Sequence, residues 1–294
     1  MGVGGRDRVS FAPPYPVGEW GELRSPLTMT DPLWMALIVG NTRLHWGCFA
    51  GDVLQGVWHT RHLHAAEVHR FRVEGFAPTT WASLGLDAPA IAESWAASPA
   101  SAIALYVASV IPAQTQPWQE YTGLHEIRLA TVPLAGLYPT LGIDRALNLL
   151  GAGTQYGWPV LVVDAGTALT FTAGDGGRLV GGAILPGLTT QLKALGQHTA
   201  TLPELAIAPA LPPRWAKDTP NAIHSGVLYG LAATVWDFVT DWRTKFPAGQ
   251  VVLTGGDGEI IQRCLGNRAA GMHLDPVLAF RGVQCYRQIT AAGG

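Results

Sequence analysis

Hydrophobic residues recur with the same layout in two stretches of the chain, and both stretches predict short strands. The first has apolar or alternating runs joined by glycine turns, which predict an antiparallel meander at residues 35–39, 43–49 and 53–59. The second repeats this layout at residues 160–163, 168–173 and 178–184. Further runs predict a buried parallel strand at 104–110 and another strand at 251–254. A meander that opens each half of the chain indicates internal duplication of one α/β unit.

Helical patterns separate and follow these strands. They predict helices at residues 62–72, 87–96, 143–151, 187–196 and 221–243, and a closing helical segment after the last strand. We expect the two units to occupy residues 35–152 and 153–294. The first 34 residues are rich in Gly, Pro and Arg and have no periodicity, so we interpret them as a disordered extension.

Composition narrows the class of protein. The chain has 294 residues, 48% of them hydrophobic and only 14% charged, which is enough apolar material for a large core. The net charge of −2 gives no basic surface and argues against nucleic acid as a partner. The three cysteines are far apart and odd in number, which indicates a reducing compartment. We find no apolar run of the roughly 18–20 residues that a bilayer requires, so we expect a cytoplasmic protein without a membrane partner.

The two meanders share a turn that could bind phosphate. The stretch LVVDAGTALTF at 161–171 ends a hydrophobic run with Asp164 and then turns through glycine, and ALIVGNTRLHWG at 36–47 has nearly the same shape. When Gly40 is aligned with Gly166, Thr167 falls opposite Asn41 and Asp164 opposite Ile38. Such a turn lets backbone N–H groups approach a phosphate, and an aspartate at the strand end can hold a cation. Either turn alone would favour a plain hairpin, whereas matching positions favour two hairpins that grip a nucleotide.

Two other elements carry candidate chemistry. In GLYPTLGIDRALNLLGA, residues 136–152, Asp144 and Arg145 stand at a glycine-opened helix start. Asp144 could accept a proton from a hydroxyl and Arg145 could hold an anionic substrate group, although a capping Asp beside a surface Arg is the simpler alternative. The histidine-rich stretch 59–69 lacks tetrahedral metal spacing, so we interpret it as a solvated helix start.

The chain resembles the type III pantothenate kinases, and specifically their cyanobacterial branch. The resemblance rests on the order and spacing of GNT (40–42), Tyr138 with LGIDR (141–145), DAGTALT (164–170), GGAILPG (181–187), DTPNAIHSGVLYG (218–230) and TGGDG (254–258). It implies an α/β fold of the actin-like ATPase superfamily. In that fold two duplicated RNase H-like domains, each a mixed sheet flanked by helices, have a nucleotide cleft between them. It also implies ATP-dependent phosphorylation of pantothenate to 4'-phosphopantothenate, the first step of coenzyme A biosynthesis.

The resemblance further implies roles for individual residues. Asp144 is the expected base, and pantothenate is held by Tyr138, Gly142, Ile143, Asp144, Arg145 and a threonine from the neighbouring subunit of a homodimer, Thr219. The expected ATP contacts are Ile38, Val39, Gly40, Asn41, Thr42, Arg43, Leu44, His45, Thr167, Gly255 and Gly256. Asp164 is the expected ligand of a monovalent cation, potassium or ammonium, and magnesium accompanies ATP.

Two positions depart from the family pattern. Ile38 stands where the family's first hairpin carries an acid, and only Pro139 and Thr140 separate Tyr138 from the LGIDR motif. Arg43 could supply charge in place of the missing acid, or it could be a solvent-facing strand residue. Two functions therefore remain open: an active pantothenate kinase, or a non-catalytic accessory or regulatory homologue that binds nucleotide or pantothenate.

Overall fold

A computed structural model describes residues 32–87, 103–208 and 210–292 of the chain. The predicted helix at 87–96 lies, apart from residue 87, outside these ranges, and so do residues 1–31 of the predicted extension. The first strand begins at Leu33, two residues before the predicted start of the fold, and Trp34 is buried in it. Residues 33 and 34 therefore belong to the fold and not to the extension.

The first half of the chain forms a five-stranded mixed sheet. Its strands are β1 (Leu33–Val39), β2 (Leu44–Ala50), β3 (Val53–Thr60), β4 (Ala104–Ser109) and β5 (Leu124–Glu126). The spatial order is β3-β2-β1-β4-β5, with β1 to β3 antiparallel and β4 and β5 parallel to β1. The predicted meander is confirmed. Strand β5 was not predicted, because three residues are too few to show a strand pattern.

The second half repeats this topology. Its strands are β6 (Val160–Ala165), β7 (Ala168–Asp175), β8 (Arg178–Pro186), β9 (Gln250–Thr254) and β10 (His273–Leu274). The spatial order is β10-β9-β6-β7-β8, which is equivalent to the order of the first sheet listed from its opposite edge. Strands β6 to β8 form an antiparallel meander, and β9 and β10 are parallel to β6. Two sheets with the same strand order confirm the predicted duplication of an RNase H-like unit.

Helices cover the sheets, and most begin or end within a few residues of the prediction. They are α1 (Ala65–Glu74), α2 (Pro78–Ser83), α3 (Pro112–Thr115), α4 (Ile143–Tyr156), α5 (Leu188–His198), α6 (Thr219–Lys245), α7 (Gly258–Leu265) and α8 (Leu278–Ala292). Helix α1 begins three residues later than predicted because the Glu67 carboxylate caps it there, accepting a hydrogen bond from His64 N. Helix α4 continues five residues past its predicted end, so the expected boundary at residue 152 falls inside it.

The core between the two sheets is shared by both halves. Along β1 the side chains of Trp34, Ala36 and Ile38 face a central cluster that also contains Val160 and Val162 of β6. Helices α4 and α8 supply most of the remaining residues of this cluster. The alternation places Ile38 and Asp164 at equivalent inward-facing positions of β1 and β6, as the alignment of the two turns predicts.

Helices α4 and α8 cross closely because glycines stand at their contact. A Cβ on Gly151 would lie 2.7 Å from the Leu278 carbonyl oxygen, and one on Gly282 would lie 2.1 Å from the Leu147 carbonyl oxygen. The GAGTQYG stretch at 151–157 thus serves helix packing within α4.

Helix α6 is long and apolar enough, by length and composition alone, to cross a membrane. Its residues Val227, Leu231, Val235 and Val239 are buried in the cluster that covers the outer face of the second sheet. The buried face of this helix therefore packs as a core helix against the second sheet.

Candidate active site

The two glycine turns meet at their tips. The β1–β2 turn and the β6–β7 turn lie at the same side of the molecule, and the hydroxyl oxygens of Thr42 and Thr167 are 3.0 Å apart. Asn41, Thr42 and Arg43 are exposed, so their side chains are available to a ligand. The structure therefore brings together the two hairpins that the sequence predicts as a phosphate grip.

Residues at the start of α5 hold the β6–β7 turn in place through hydrogen bonds. The Thr167 carbonyl oxygen accepts hydrogen bonds from Gly187 N at 3.0 Å and from the Thr190 hydroxyl at 2.6 Å. A Cβ on Gly187 would lie only 1.9 Å from the Gly166 carbonyl oxygen. The GGAILPG motif thus ends in glycine because the α5 start approaches the turn so closely.

The first turn is supported by histidines. His62 Nε2 donates to the Gly40 carbonyl oxygen at 2.9 Å, and His45 Nδ1 lies 2.9 Å from His59 Nδ1. Burial lowers the pKa of His45 to about 4, with smaller contributions from the charges of His59, Arg43 and His62. His45 is therefore neutral at neutral pH, and Arg43 carries the positive charge of this turn. The histidine-rich stretch contributes to the site through these contacts and not only to the start of α1.

Asp164 stands at the end of β6, below the second turn. Its Oδ2 accepts a hydrogen bond from Asn148 Nδ2 at 2.9 Å. Burial and, to a lesser extent, the charge of Asp144 raise the pKa of Asp164 to about 7, although the hydrogen bond from Asn148 and the charge of Arg145 oppose the rise. An added positive ion at this position would offset both causes of the raised pKa.

Helix α4 begins beside Asp164. Its N-cap is Gly142, and Asp144 in the first turn folds back so that its Oδ1 accepts from Arg145 N at 2.8 Å. A Cβ on Gly142 would lie 2.4 Å from that same Oδ1, so glycine makes room for the carboxylate. Asp144 is half-buried and near enough to Asp164 to raise the pKa of that residue. The candidate base and the candidate cation ligand therefore belong to one site.

Arg145 is a buried cation, 5% exposed, and no carboxylate of the described residues forms a salt bridge with it. Its guanidinium donates to the Thr172 hydroxyl at 2.9 Å, to the Phe171 carbonyl oxygen at 2.9 Å and to the Tyr138 hydroxyl at 3.1 Å. The simpler alternative, a surface arginine beside a capping acid, is wrong.

Tyr138 reaches the site in spite of its short spacer. A turn joins Leu141 N to the Tyr138 carbonyl oxygen at 2.9 Å, and this turn brings the phenol back to Arg145. The ring remains 42% exposed, which leaves one side open to a ligand. The shortened spacer therefore does not separate Tyr138 from the DR motif.

The TGG turn lies at the carboxyl end of β9, which pairs in parallel with β6. Gly255 has a φ of +85°, and a Cβ there would lie 2.5 Å from Asp164 Oδ1. A Cβ on Gly256 would meet no atom within 4 Å, so this glycine borders open space. The expected adenosine contact thus adjoins Asp164, at the edge where ligands bind in sheets with parallel strands.

Several expected contact residues are not available through their side chains. Ile38, Val39 and Leu44 are each at most 5% exposed, and Ile143 is also buried. Only their backbone groups could face a ligand, so their side chains serve the core beneath the first turn and α4.

Thr219 is the expected site residue that the structure does not bring to the others. It is the first residue of α6 and borders an open, mostly apolar groove of about 420 Å³ between α5 and α6. None of the hydrogen bonds among the described residues joins Thr219 to Tyr138, Asp144 or Arg145.

Three residues of the site were not assigned roles from the sequence. Asn148 contacts Asp164, Thr172 contacts Arg145, and Gly182 leaves space for the guanidinium, since its Cβ would lie 2.2 Å from Arg145 Nη2. The spacing of four between Asp144 and Asn148 would have indicated one helix face. The other two contacts depend on how α4 lies over β7 and β8, which no local pattern specifies.

The two sheets share one strand order and their turns face each other, which defines a duplicated α/β fold. A solved structure with a similar fold is a conserved putative Baf family transcriptional activator from Campylobacter jejuni. It has a TM-score of 0.56 and 18% identity, and the match covers 88% of this chain and 99% of that one. At this identity the likeness concerns the fold alone.

Sequence comparison identifies the family. A model of the type III pantothenate kinase family matches residues 34–241. A relative of that name from Nostoc sp. is 44% identical over 260 residues, covering 85% of this chain and 93% of the relative. Another, from Gloeobacter violaceus, is 42% identical over 234 residues, covering 79% and 90%. The chain belongs to the type III pantothenate kinase family, which confirms the resemblance found in the sequence, including its cyanobacterial branch.

Proposed function

We propose that this protein transfers a phosphoryl group from ATP to the hydroxyl of pantothenate, the first step of coenzyme A biosynthesis. The observation that carries the proposal is that Asp144 and Arg145 begin α4 directly beside Asp164 and the two facing turns. A proton acceptor, a buried cation for the substrate and a phosphate grip thus meet at one place. The names of the relatives favour this function over the non-catalytic accessory alternative.

Asp144 accepts the proton of the attacking hydroxyl. Its Oδ1 is engaged by Arg145 N, so the second oxygen is the one that faces the substrate. Phosphoryl transfer depends mainly on positioning and on compensation of charge, and a base in hydrogen-bond reach of the hydroxyl completes the arrangement.

Arg145 and Tyr138 hold the carboxylate of pantothenate. Arg145 Nε and Nη2 donate hydrogen bonds to β7, and Nη1 donates to the Tyr138 hydroxyl. The remaining N–H groups of the guanidinium therefore point toward Tyr138. A buried arginine that has no acidic partner among the described residues is suited to an anionic ligand, because the ligand supplies the missing counter-charge. Gly142 and Ile143 contribute through the backbone at the positive end of α4.

The phosphates of ATP lie between the two turns. Gly40, Asn41, Thr42 and Arg43 bind from one side and Thr167 from the other, while Gly255 and Gly256 lie against the adenosine. His45 supports the first turn from below. In this arrangement Arg43 provides positive charge beside the phosphates. An acid in the first hairpin would provide such charge indirectly, by binding a metal ion.

The residues present fit a cation beside ATP. Asp164 and Asp144 are two interacting carboxylates, and Asp164 Oδ1 faces the β6–β7 turn and the TGG turn. No group of three His, Cys, Asp or Glu residues suited to a metal occurs within the described ranges, so the ligand set needs substrate oxygens or water as well. Asp164 would hold the monovalent cation, potassium or ammonium, and would face the magnesium of ATP. Such ions neutralise the charge that develops on the transferred phosphoryl group.

The protein acts as a cytoplasmic homodimer. Thr219 lies apart from the other substrate residues within one chain, and it borders an open apolar groove with Leu195 and Val227. A second subunit that covers this groove would bring its own Thr219 to the partner's Tyr138 and Arg145.

The decisive experiment is an assay with purified protein, ATP, pantothenate, magnesium and potassium, in which mass spectrometry follows the gain of one phosphoryl group. A pantothenate analogue that lacks the primary hydroxyl serves as the matched control and should yield no product. Absence of product from pantothenate itself, in a preparation that still binds ATP, would overturn the proposal in favour of the accessory function.

A further inference from the structure

Asn148 is a buried polar residue with no assigned role. It lies on α4 four residues after Asp144, on the same helix face, and is 3% exposed. Its Nδ2 donates to Asp164 Oδ2 at 2.9 Å. A single helix therefore carries the candidate base, the substrate arginine and a hydrogen-bond donor for the candidate cation ligand.

This hydrogen bond determines the direction of the Asp164 carboxylate. Because Oδ2 is engaged by Asn148, Oδ1 is the oxygen that faces the β6–β7 turn and the TGG turn. A Cβ on Gly255 would lie 2.5 Å from Oδ1, and one on Gly166 would lie 3.9 Å from it. The free oxygen of Asp164 thus points to where the phosphate turn and the TGG turn meet.

The other end of the Asn148 amide gives no support to the fold. Its Oδ1 is buried and accepts no hydrogen bond from the described residues. A buried acceptor without a partner destabilises a protein, and an apolar side chain of the same shape would avoid that penalty. The contribution of Asn148 to the protein therefore lies in its donor group and in the carboxylate that this group holds.

We propose that Asn148 is a positioning residue that orients Asp164 toward the magnesium ion of ATP and so sets the affinity of the site for magnesium. The inference rests on the proposed function. Partners that orient a ligand carboxylate commonly change metal affinity by about 10–100-fold when they are removed. Asn148 does not contact the substrate itself in this scheme.

The test uses Asn148→Leu, which has a similar volume and no polar atom. We expect the thermal midpoint to change little, because removal of an unsatisfied acceptor offsets the loss of the hydrogen bond to Asp164. We expect the magnesium concentration for half-maximal turnover to rise about 10-fold or more, with potassium fixed. A second readout needs no turnover: the magnesium-dependent thermal shift in the presence of a non-hydrolysable ATP analogue should move to higher concentration by the same factor.

Thr115→Val is the matched control. The Thr115 hydroxyl is also buried without a hydrogen-bond partner, and it lies on α3, in neither turn. This variant should leave both magnesium curves unchanged. In an Asp164→Asn background, Asn148→Leu should have no further effect on the thermal shift, because Asn148 acts through that carboxylate.

Two results would overturn the proposal. One is a lowered thermal midpoint with unchanged magnesium curves, which is the signature of a purely structural residue. The other is an undiminished effect of Asn148→Leu in the Asp164→Asn background. If Asn148→Leu does not fold, Asn148→Ser replaces it under the same criteria. Failure of the proposed function is separate, since it is read from the wild-type assay while the thermal shift is read without pantothenate.

Discussion

The hydroxyl oxygens of Thr42 and Thr167 lie 3.0 Å apart, although 125 positions separate the two residues in the chain. Each stands in the turn of a hairpin, one in each half of the duplicated fold. The contact joins the two turns across the space where we place the phosphates of ATP. Because a hydroxyl can donate as well as accept, both groups can turn toward a phosphate when one is bound.

Removal of either hydroxyl should weaken ATP binding. We expect Thr42→Val and Thr167→Val each to lower kcat/KM for ATP by about 10–100-fold, the equivalent of one hydrogen bond to a charged group. The KM for pantothenate should change little. Steady-state kinetics of both single variants and the double variant measure the coupling, and we expect the double variant to be less impaired than the product of the single effects. Unchanged ATP kinetics in Thr167→Val would remove the second turn from the phosphate site.

Restoring the missing acid should damage the fold. Ile38 is 5% exposed among apolar residues of the central core, so a carboxylate there would be buried without a partner. We expect Ile38→Asp to lower the free energy of unfolding by roughly 3 kcal/mol or more, and Ile38→Val by about 1 kcal/mol. Urea unfolding of the three proteins makes the comparison. Equal stability of Ile38→Asp and Ile38→Val would show that the position is open to solvent or to a cation.

Asp144→Asn should separate binding from chemistry. The amide keeps the shape of the side chain but cannot accept the proton of the pantothenate hydroxyl. We expect turnover to fall by about 10²–10⁴, with ATP affinity and thermal midpoint close to those of the wild type. Turnover and ATP affinity measured on the same preparation decide the matter, and near-normal turnover would exclude Asp144 as the base.

Mixed dimers should recover activity from two inactive variants. If Thr219 completes the partner's substrate site, Asp144→Asn and Thr219→Arg are each inactive as homodimers. A heterodimer of the two contains one site with both residues intact, so mixing should restore part of the turnover. Heterodimers are isolated with two different affinity tags. Confirmed heterodimers without activity would mean that each subunit works alone.

The stability of the protein should fall in mild acid because of His45. Its pKa is about 4 in the folded protein and about 6.5 when unfolded, so the unfolded state binds more protons between these values. Stability is therefore full above pH 6.5 and declines toward pH 4, by on the order of 2 kcal/mol from this residue. His59, His62 and Arg43 face His45 and add to the effect. Urea unfolding at several pH values should show a smaller decline for His45→Phe, and parallel curves would contradict this assignment.

Much of the fold follows from local patterns. The two meanders were predicted because strand periodicity and glycine turns are local, and the equivalence of Ile38 and Asp164 followed from aligning those turns. The strands β5 and β10 could not be predicted because three and two residues carry no periodicity. The early predicted start of α1 was wrong because the Glu67 side chain accepts a hydrogen bond from His64 N and caps the helix there.

The candidate site likewise has residues that local motifs predict and residues that they do not. Asp144, Arg145 and Thr167 stand in short motifs, so the sequence predicts them as site residues. The support behind them depends on contacts between distant elements: His62 with Gly40, Thr190 with Thr167, and Asn148 with Asp164. The depth of Arg145 also depends on Gly182, which is 37 positions away and gives space only once β8 lies beside β7.

The close crossing of α4 and α8 has a consequence for the ancestry of the chain. Gly151 and Gly282 let the last helix of the second copy lie in the core that it shares with the first. A cut near residue 152 would divide α4, and loss of α8 would expose the inner face of the first sheet. The two halves arose by duplication, but they now share one core, so we expect neither half to fold stably without the other.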